Sequence, residues 1–150
     1  MLLGSELVLK TVDAVIENRL SPLPQEDFFS GAILKPAPKL TKENTRINWS
    51  SDGASIVNFV RGLNPYPTSW TELVYPDGSS STMKILKASF REESHNFISG
   101  RFLIEGKNNF FIVVKDGFIK VERLQVAGGK ALNVEDFLRG HSFPEGTKAV

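Results

Sequence analysis

In the first twenty residues the apolar positions Leu3, Leu7, Val8, Val12, Val15, Ile16 and Leu20 recur at steps of three and four, which predicts an amphipathic helix over Leu2–Leu20. One face of that helix needs a partner, and the pattern fits a face laid on the rest of this chain as well as one laid on something outside it. The periodicity then stops. Pro22, Pro24, Pro36 and Pro38 fix φ and remove backbone donors, so an extended, fairly stiff arm is expected. Within it, Phe28, Phe29, Ile33 and Leu34 are too apolar for free solvent and are expected to dock.

Ser50, Ser51 and Asp52 are candidate N-caps for a second helix that carries Ala54, Ile56, Val57, Phe59, Val60 and Leu63 at helical spacing and is ended by Gly62 and Pro65. Beyond Pro67 the pattern changes to five short β-type runs, 70–75, 83–90, 101–105, 109–115 and 118–126. Pro76-Asp77-Gly78, Gly106-Lys107-Asn108 and Asp116-Gly117 supply the turns. In the last of these both positions tolerate positive φ, so the final two strands should pair antiparallel. A short helix from Val134 to Leu138, capped by Asn133 and stopped at Gly140, closes the pattern. Evenly spaced strands without alternating helices favour a small barrel over a parallel sheet. The expected fold is mainly β with flanking helices: a small open antiparallel β-barrel preceded by a helix and an extended linker.

Composition changes this picture little. At 150 residues, 41% hydrophobic and 23% charged, the chain resembles an ordinary soluble domain with enough length for a real core. No apolar run is long enough to span a bilayer, so no membrane partner is expected, and the first residues carry Glu6 and no basic flank, unlike a signal peptide. The absence of cysteine removes disulfides, thiolate metal sites and thiol nucleophiles, and favours a cytoplasmic location. With 18 basic and 17 acidic residues the net charge is +1, which gives no long-range field for nucleic acid. Any such affinity must be local, and the one cationic segment holds Lys35, Lys39, Lys42 and Arg46 against Glu43 alone.

Catalysis needs convergent groups, and the sequence offers few. Its two histidines, His95 in a polar loop and His141 near the end, have no second ligand at metal spacing, so both are expected at the surface, with no metal and no catalytic residue. The adjacent Glu92 and Glu93 fit a solvated loop better than an acid–base pair. Gly128-Gly129-Lys130 lacks the upstream glycine and the following Ser or Thr of a phosphate loop, though a lysine and nearby amides suffice for one RNA phosphate. Trp49, Trp70, Tyr66 and the phenylalanines suit a barrel core better than a base-stacking platform.

Three stretches carry a family resemblance: Lys39-Leu40-Thr41-Lys42-Glu43 running into Arg46-Ile47-Asn48-Trp49; Arg61-Gly62-Leu63-Asn64-Pro65-Tyr66-Pro67; and Leu124-Gln125 through Gly129-Lys130 to Asp136-Phe137-Leu138-Arg139-Gly140. In order and spacing they resemble methionyl-tRNA formyltransferases: the linker after the catalytic domain, a helix ending in an Arg-x-x-Asn-Pro turn, and the last strand and helix of the C-terminal barrel, which is OB-like. Asn48 departs from the aspartate usual in that family, Ser69-Trp70 from its small residues, and Ala131-Leu132 from its further basic residues, which weakens one RNA-contact candidate.

The resemblance implies residues 1–20 as the terminal helix of a truncated catalytic domain, 21–48 as linker arm and 49–150 as the C-terminal barrel. It implies a whole enzyme that transfers formyl from 10-formyltetrahydrofolate to methionyl initiator tRNA in translation initiation. The family's catalytic Asn, His and Asp lie in an N-terminal folate-binding domain that this sequence does not contain. The expectation is therefore a non-catalytic part with no cofactor of its own, whose partners are initiator tRNA and that N-terminal domain. Lys35, Lys39, Lys42, Arg46, Lys130 and Arg139 are the RNA-binding candidates. Arg61, at a helix C-terminus where its charge is favourable, is read with Asn64 and Pro65 as a structural motif. The alternative is a scaffolding module that docks on and stabilises the catalytic domain, with little RNA affinity of its own.

Overall fold

The structure, a computed structural model, describes residues 2–28, 31, 33 and 35–150. The chain divides into two compact units, one reaching to Pro38 and one running Lys39–Val150. In the first unit, helix α1 spans Leu2–Ile16 and stops short of the expected Leu20. Asn18 adopts φ 56°, and its amide and that of Arg19 turn back to the carbonyls of Val15 and Ala14 at 3.1 and 2.9 Å. That left-handed residue satisfies the helix's last carbonyls and ends it. No residue of α1 is buried. The arm is not uniformly extended, because Gln25–Phe28 winds into a single 3-10 turn. Phe28 and Ile33 remain 66% and 95% exposed, against the expectation that they dock; Phe29 and Leu34 lie outside the described residues.

In the second unit, α2 spans Gly53–Leu63, and the Asp52 carboxylate accepts the Ser55 amide at 2.8 Å as its N-cap. Its Gly62 sits inside the last turn and does not end the helix. Ile56, Val60 and Leu63 form the buried face. The first amide of the helix, on Gly53, bonds both oxygens of Asp116, at 2.9 and 3.2 Å, which ties the helix start to a distant hairpin turn.

The sheet has seven strands, β1 (Ser69–Val74), β2 (Ser80–Glu92), β3 (Phe102–Glu105), β4 (Asn109–Val114), β5 (Gly117–Val126), β6 (Leu132–Asn133) and β7 (Lys148–Ala149). They are ordered β3-β4-β5-β2-β1-β7, with β6 added to β5. Every ladder is antiparallel, as the even strand spacing predicts, and the sheet curls into a half-barrel. Five strands were expected; β6 and β7 have two residues each and carry no pattern to read. The β4–β5 hairpin turns on Lys115 and Asp116 between the paired Val114 and Gly117, one residue earlier than the Asp-Gly signal suggests. Helix α3, Val134–Gly140, starts at Asn133, whose side chain makes no capping bond, and runs through Gly140.

The inner face of the half-barrel packs Leu73, Met83, Ile85, Phe110, Ile112 and Leu124 against α2, α3 and Trp49. Each fully buried side chain of this size stabilises the fold by roughly 1.5–3 kcal/mol. Strand β4 is buried on both faces, because Phe111, Val113 and Phe118 form a second cluster outside the barrel. The Arg91 guanidinium lies 4.7 and 4.9 Å from the rings of Phe111 and Phe118 and roofs that cluster. The sheet's two edges meet at Gly100, whose carbonyl accepts the Ala149 amide at 2.9 Å while its own amide reaches Val113 at 2.8 Å. Gly100 has φ +84°, and a Cβ there would stand 2.2 Å from the Ala149 carbonyl oxygen.

Candidate nucleic-acid interface

On the outer face of β1 the residues alternate buried and half-buried, which turns Trp70 and Glu72 outward while Ser69, Thr71 and Leu73 point in. Trp70 is not core. Its indole donates to the Lys42 carbonyl at 2.8 Å, and the Lys42 ammonium and Arg46 guanidinium lie 5.1 and 5.4 Å from its ring. Arg46 also pairs with Glu72 at 3.0 Å. Residues 39–48 thus hold two of the expected cations, Lys42 and Arg46, against the first strand.

The register extends this band. Trp70 opposes Lys84, Lys84 opposes Gln125, and Lys87 opposes Arg123. Lys84 is exposed between the buried Met83 and Ile85, as simple alternation demands. Lys87 and Arg123 are exposed for a different reason. The β2–β5 register shifts on either side of their pair, so Leu86 and Glu122 are skipped and the inward phase changes on both strands. The irregularity places two successive cations on one outer face, with Lys120 beyond them. Lys87 pairs with Glu122 at 2.7 Å, and that bond, aided by the Ser89 hydroxyl, holds the Glu122 carboxyl below its ordinary range. Lys42, Lys84, Lys120 and Arg123 have no ion-pair partner among the described residues.

The remaining sequence candidates are dispersed. Lys39 is exposed and its carbonyl accepts the Asn44 amide at 2.8 Å, which with the Thr41–Asn44 bonds shapes the turn leading to Lys42. Lys35 is exposed in the first unit. Lys130 sits exposed in the turn between β5 and β6, close in sequence to Gln125, whose amide donates to the Gly129 carbonyl at 2.9 Å. Arg139 lies on α3 in an ion pair with Asp136. Arg61 is exposed on the last turn of α2, and no bond from its guanidinium to the Asn64-Pro65 turn is present among the described residues. His95 is not a free surface residue. Half-buried, it bonds the Val114 and Gly117 carbonyls at 2.7 and 3.1 Å through Nε2 and packs on Phe118 at 4.9 Å.

Three aromatics read together as core therefore part company. Trp49 is buried, with its indole donating to the Thr71 hydroxyl at 2.9 Å; Trp70 is half-buried on the cationic face; Tyr66 is 88% exposed. The residues missed in the sequence are Lys84, Lys87, Lys120, Arg123 and Tyr66. Only Lys84 carried a signal, the alternation of Met83, Lys84 and Ile85. Chemically the face carries ammonium and guanidinium groups on adjacent strands, two of them paired with Glu72 and Glu122, together with an outward-facing indole, and is suited to phosphate oxygens and stacked rings.

Residues 39–142 match the family model described as formyl transferase, C-terminal domain. The methionyl-tRNA formyltransferase of Bacteroides thetaiotaomicron is 41% identical over 148 residues, and that of Phocaeicola vulgatus is 44% identical over 149. Each match covers 99% of this chain and 46% of the relative, so the chain spans just under half of their length. Among solved structures, a multiply substituted variant of HypX from Aquifex aeolicus shares the fold with a TM-score of 0.58 at 18% identity, over 93% of this chain and 24% of that one.

Proposed function

The chain belongs to the formyl transferase C-terminal domain family, and from that premise we propose that it is the tRNA-holding part of a cytoplasmic methionyl-tRNA formyltransferase, without catalytic residues of its own. The observation that carries this reading is the outer face of β1, β2 and β5, where Lys42 and Arg46 lie over Trp70, Lys84 opposes Trp70, and Lys87 opposes Arg123 farther along the same sheet. A curved sheet presenting cations at strand spacing follows a phosphate backbone without reading bases, so it adds affinity while another domain selects the acceptor end. Lys39 and Lys130 extend the same contact through the turn leading to Lys42 and the β5–β6 turn, and Lys35 is a separate candidate on the first unit. Arg139, held by Asp136, contributes least.

In this reading the whole enzyme moves a formyl group from 10-formyltetrahydrofolate to the methionyl amino group of initiator tRNA, and the reacting groups belong to the part of the relatives that this chain does not match. The test is a salt titration of binding to initiator tRNA and to an unrelated tRNA by fluorescence anisotropy, with Lys39→Ala and Lys42→Ala alongside. Five or six phosphate contacts give a log–log slope of about four to five, equal for the two tRNAs. A second reading, a docking module for the catalytic domain, draws support from α1, which presents Leu7, Val12 and Val15 with no buried residue. Association with a separately produced catalytic domain, together with no RNA binding at low salt, would favour it.

A further inference from the structure

Where α2 runs into β1, the segment Asn64–Thr68 leaves the surface with the ring of Tyr66 outermost, 88% exposed. Beside it lies a groove of about 440 Å³ whose far wall is the irregular β2–β5 pair, with Lys84, Lys87, Arg123 and Gln125 among its lining residues. That volume falls within the roughly 300–1,000 Å³ typical of sites for small ligands. No carboxylate lines it, so the cations facing the groove present an uncompensated positive charge, apart from the Lys87–Glu122 pair at its margin. Gln125 is fixed by its bond to the Gly129 carbonyl and keeps an amide oxygen for a donor.

We infer that this groove is a subsite for one unstacked nucleotide of an RNA strand, its base lying on the Tyr66 ring and its phosphate held by Lys84 and Arg123. The inference rests on the RNA-holding reading and adds to it a preference for single-stranded RNA. A protein partner is the weaker fit. A large flat ring free on one side, three cations and one amide in a groove without acid match a nucleotide's base and phosphate at once, whereas an apolar anchor would meet charge on the opposite wall. The groove lies on the face that carries Trp70, one strand away across the Trp70–Lys84 pair, so a strand tracking the cationic band passes it.

The experiment compares the full chain with its Tyr66→Ala, Tyr66→Phe, Arg123→Ala and Lys42→Ala variants, using a labelled single-stranded hexaribonucleotide and an RNA duplex of the same phosphate count. All are titrated at one low salt concentration, with thermal melts to establish folding. Base stacking on an aromatic ring is worth on the order of tenfold in affinity. The expected result is that Tyr66→Ala weakens hexamer binding about tenfold, Tyr66→Phe leaves it unchanged, Arg123→Ala weakens it, and duplex binding is indifferent to Tyr66. Equal hexamer binding by Tyr66→Ala and the unaltered chain, while Lys42→Ala still weakens the duplex, overturns the subsite and leaves the RNA-holding reading standing. Equal losses in Tyr66→Phe and Tyr66→Ala put the hydroxyl in place of the ring and also overturn it. No binding of either RNA overturns both.

Discussion

Gly100→Ala is expected to open the seam that joins the two edges of the half-barrel. Two effects add at this position. A residue with a Cβ held near φ +84° pays roughly 1–2 kcal/mol of left-handed strain. The new methyl group also stands 2.2 Å from the Ala149 carbonyl oxygen, and reaching ordinary contact at 3.4 Å requires the backbones to separate by roughly 1 Å. That shift breaks the 2.9 Å bond from the Ala149 amide to the Gly100 carbonyl and the Arg101–Lys148 bridge next to it, each worth about 0.5–1.5 kcal/mol. The total loss should be about 2–5 kcal/mol. Gly78→Ala is the matched control: its φ is +83°, yet a Cβ there meets nothing within 4 Å, so only the strain of roughly 1–2 kcal/mol applies. Urea unfolding followed by tryptophan fluorescence measures both losses, and amide hydrogen exchange at Ala149 reports the seam itself. Equal losses in the two variants, or an Ala149 amide still protected in Gly100→Ala, would refute the close-approach argument.

Thr71→Val keeps the shape of a fully buried side chain but leaves the Trp49 indole without its acceptor, so urea midpoints should reveal a loss of about 1–3 kcal/mol, with a shifted tryptophan emission. The Ser55 amide holds the Asp52 carboxyl below its ordinary value, so Asp52 stabilises the fold above the unfolded carboxylate pKa, and that contribution disappears as pH falls through the lowered native value. Asp52→Asn keeps a capping oxygen without titrating, and acid unfolding curves should show a shallower loss of stability below about pH 4. Lys42→Ala should lower the slope of log affinity for tRNA against log salt by about one, measured by anisotropy, Arg46→Ala by less because Glu72 already pairs with its guanidinium, and Arg139→Ala should leave it unchanged.

The elements with sustained period were legible. The α2 stripe from Ile56 to Leu63 and the Met83-Lys84-Ile85 alternation of β2 follow from a single buried face repeated every 3.6 or two residues. Legibility failed where burial had two sides or the period broke. β4 reads only as a continuous apolar run, and the reason for it, a second cluster roofed by Arg91 and His95, requires residues distant in sequence. Nothing among the prolines of the arm announces that Ile47, at its end, and Trp49, just beyond it, fill the barrel core. The site was half visible. Lys42 and Arg46 stood out because their segment is cationic, whereas Lys87 and Arg123 face outward only because of a register shift that neither strand's own sequence encodes. Tyr66 was misassigned on its residue type; its position between α2 and β1 sets its exposure.

The anchoring of α2 at both ends bears on how sequences of this kind can drift in length. Its first amide is fixed to Asp116 in the β4–β5 turn, and just past its end the Thr68 amide returns to the Leu63 carbonyl at 2.9 Å, immediately before β1 begins. One residue inserted between those anchors advances the exit by about 1.5 Å and rotates it by about 100°, which carries Tyr66 away from the groove and puts β1 out of phase with β2. The helix works as a ruler between a hairpin and an aromatic ring. Insertions and deletions should therefore be absent from 53–68 in working relatives and collect instead at Gly106-Lys107-Asn108, a turn with no such tether.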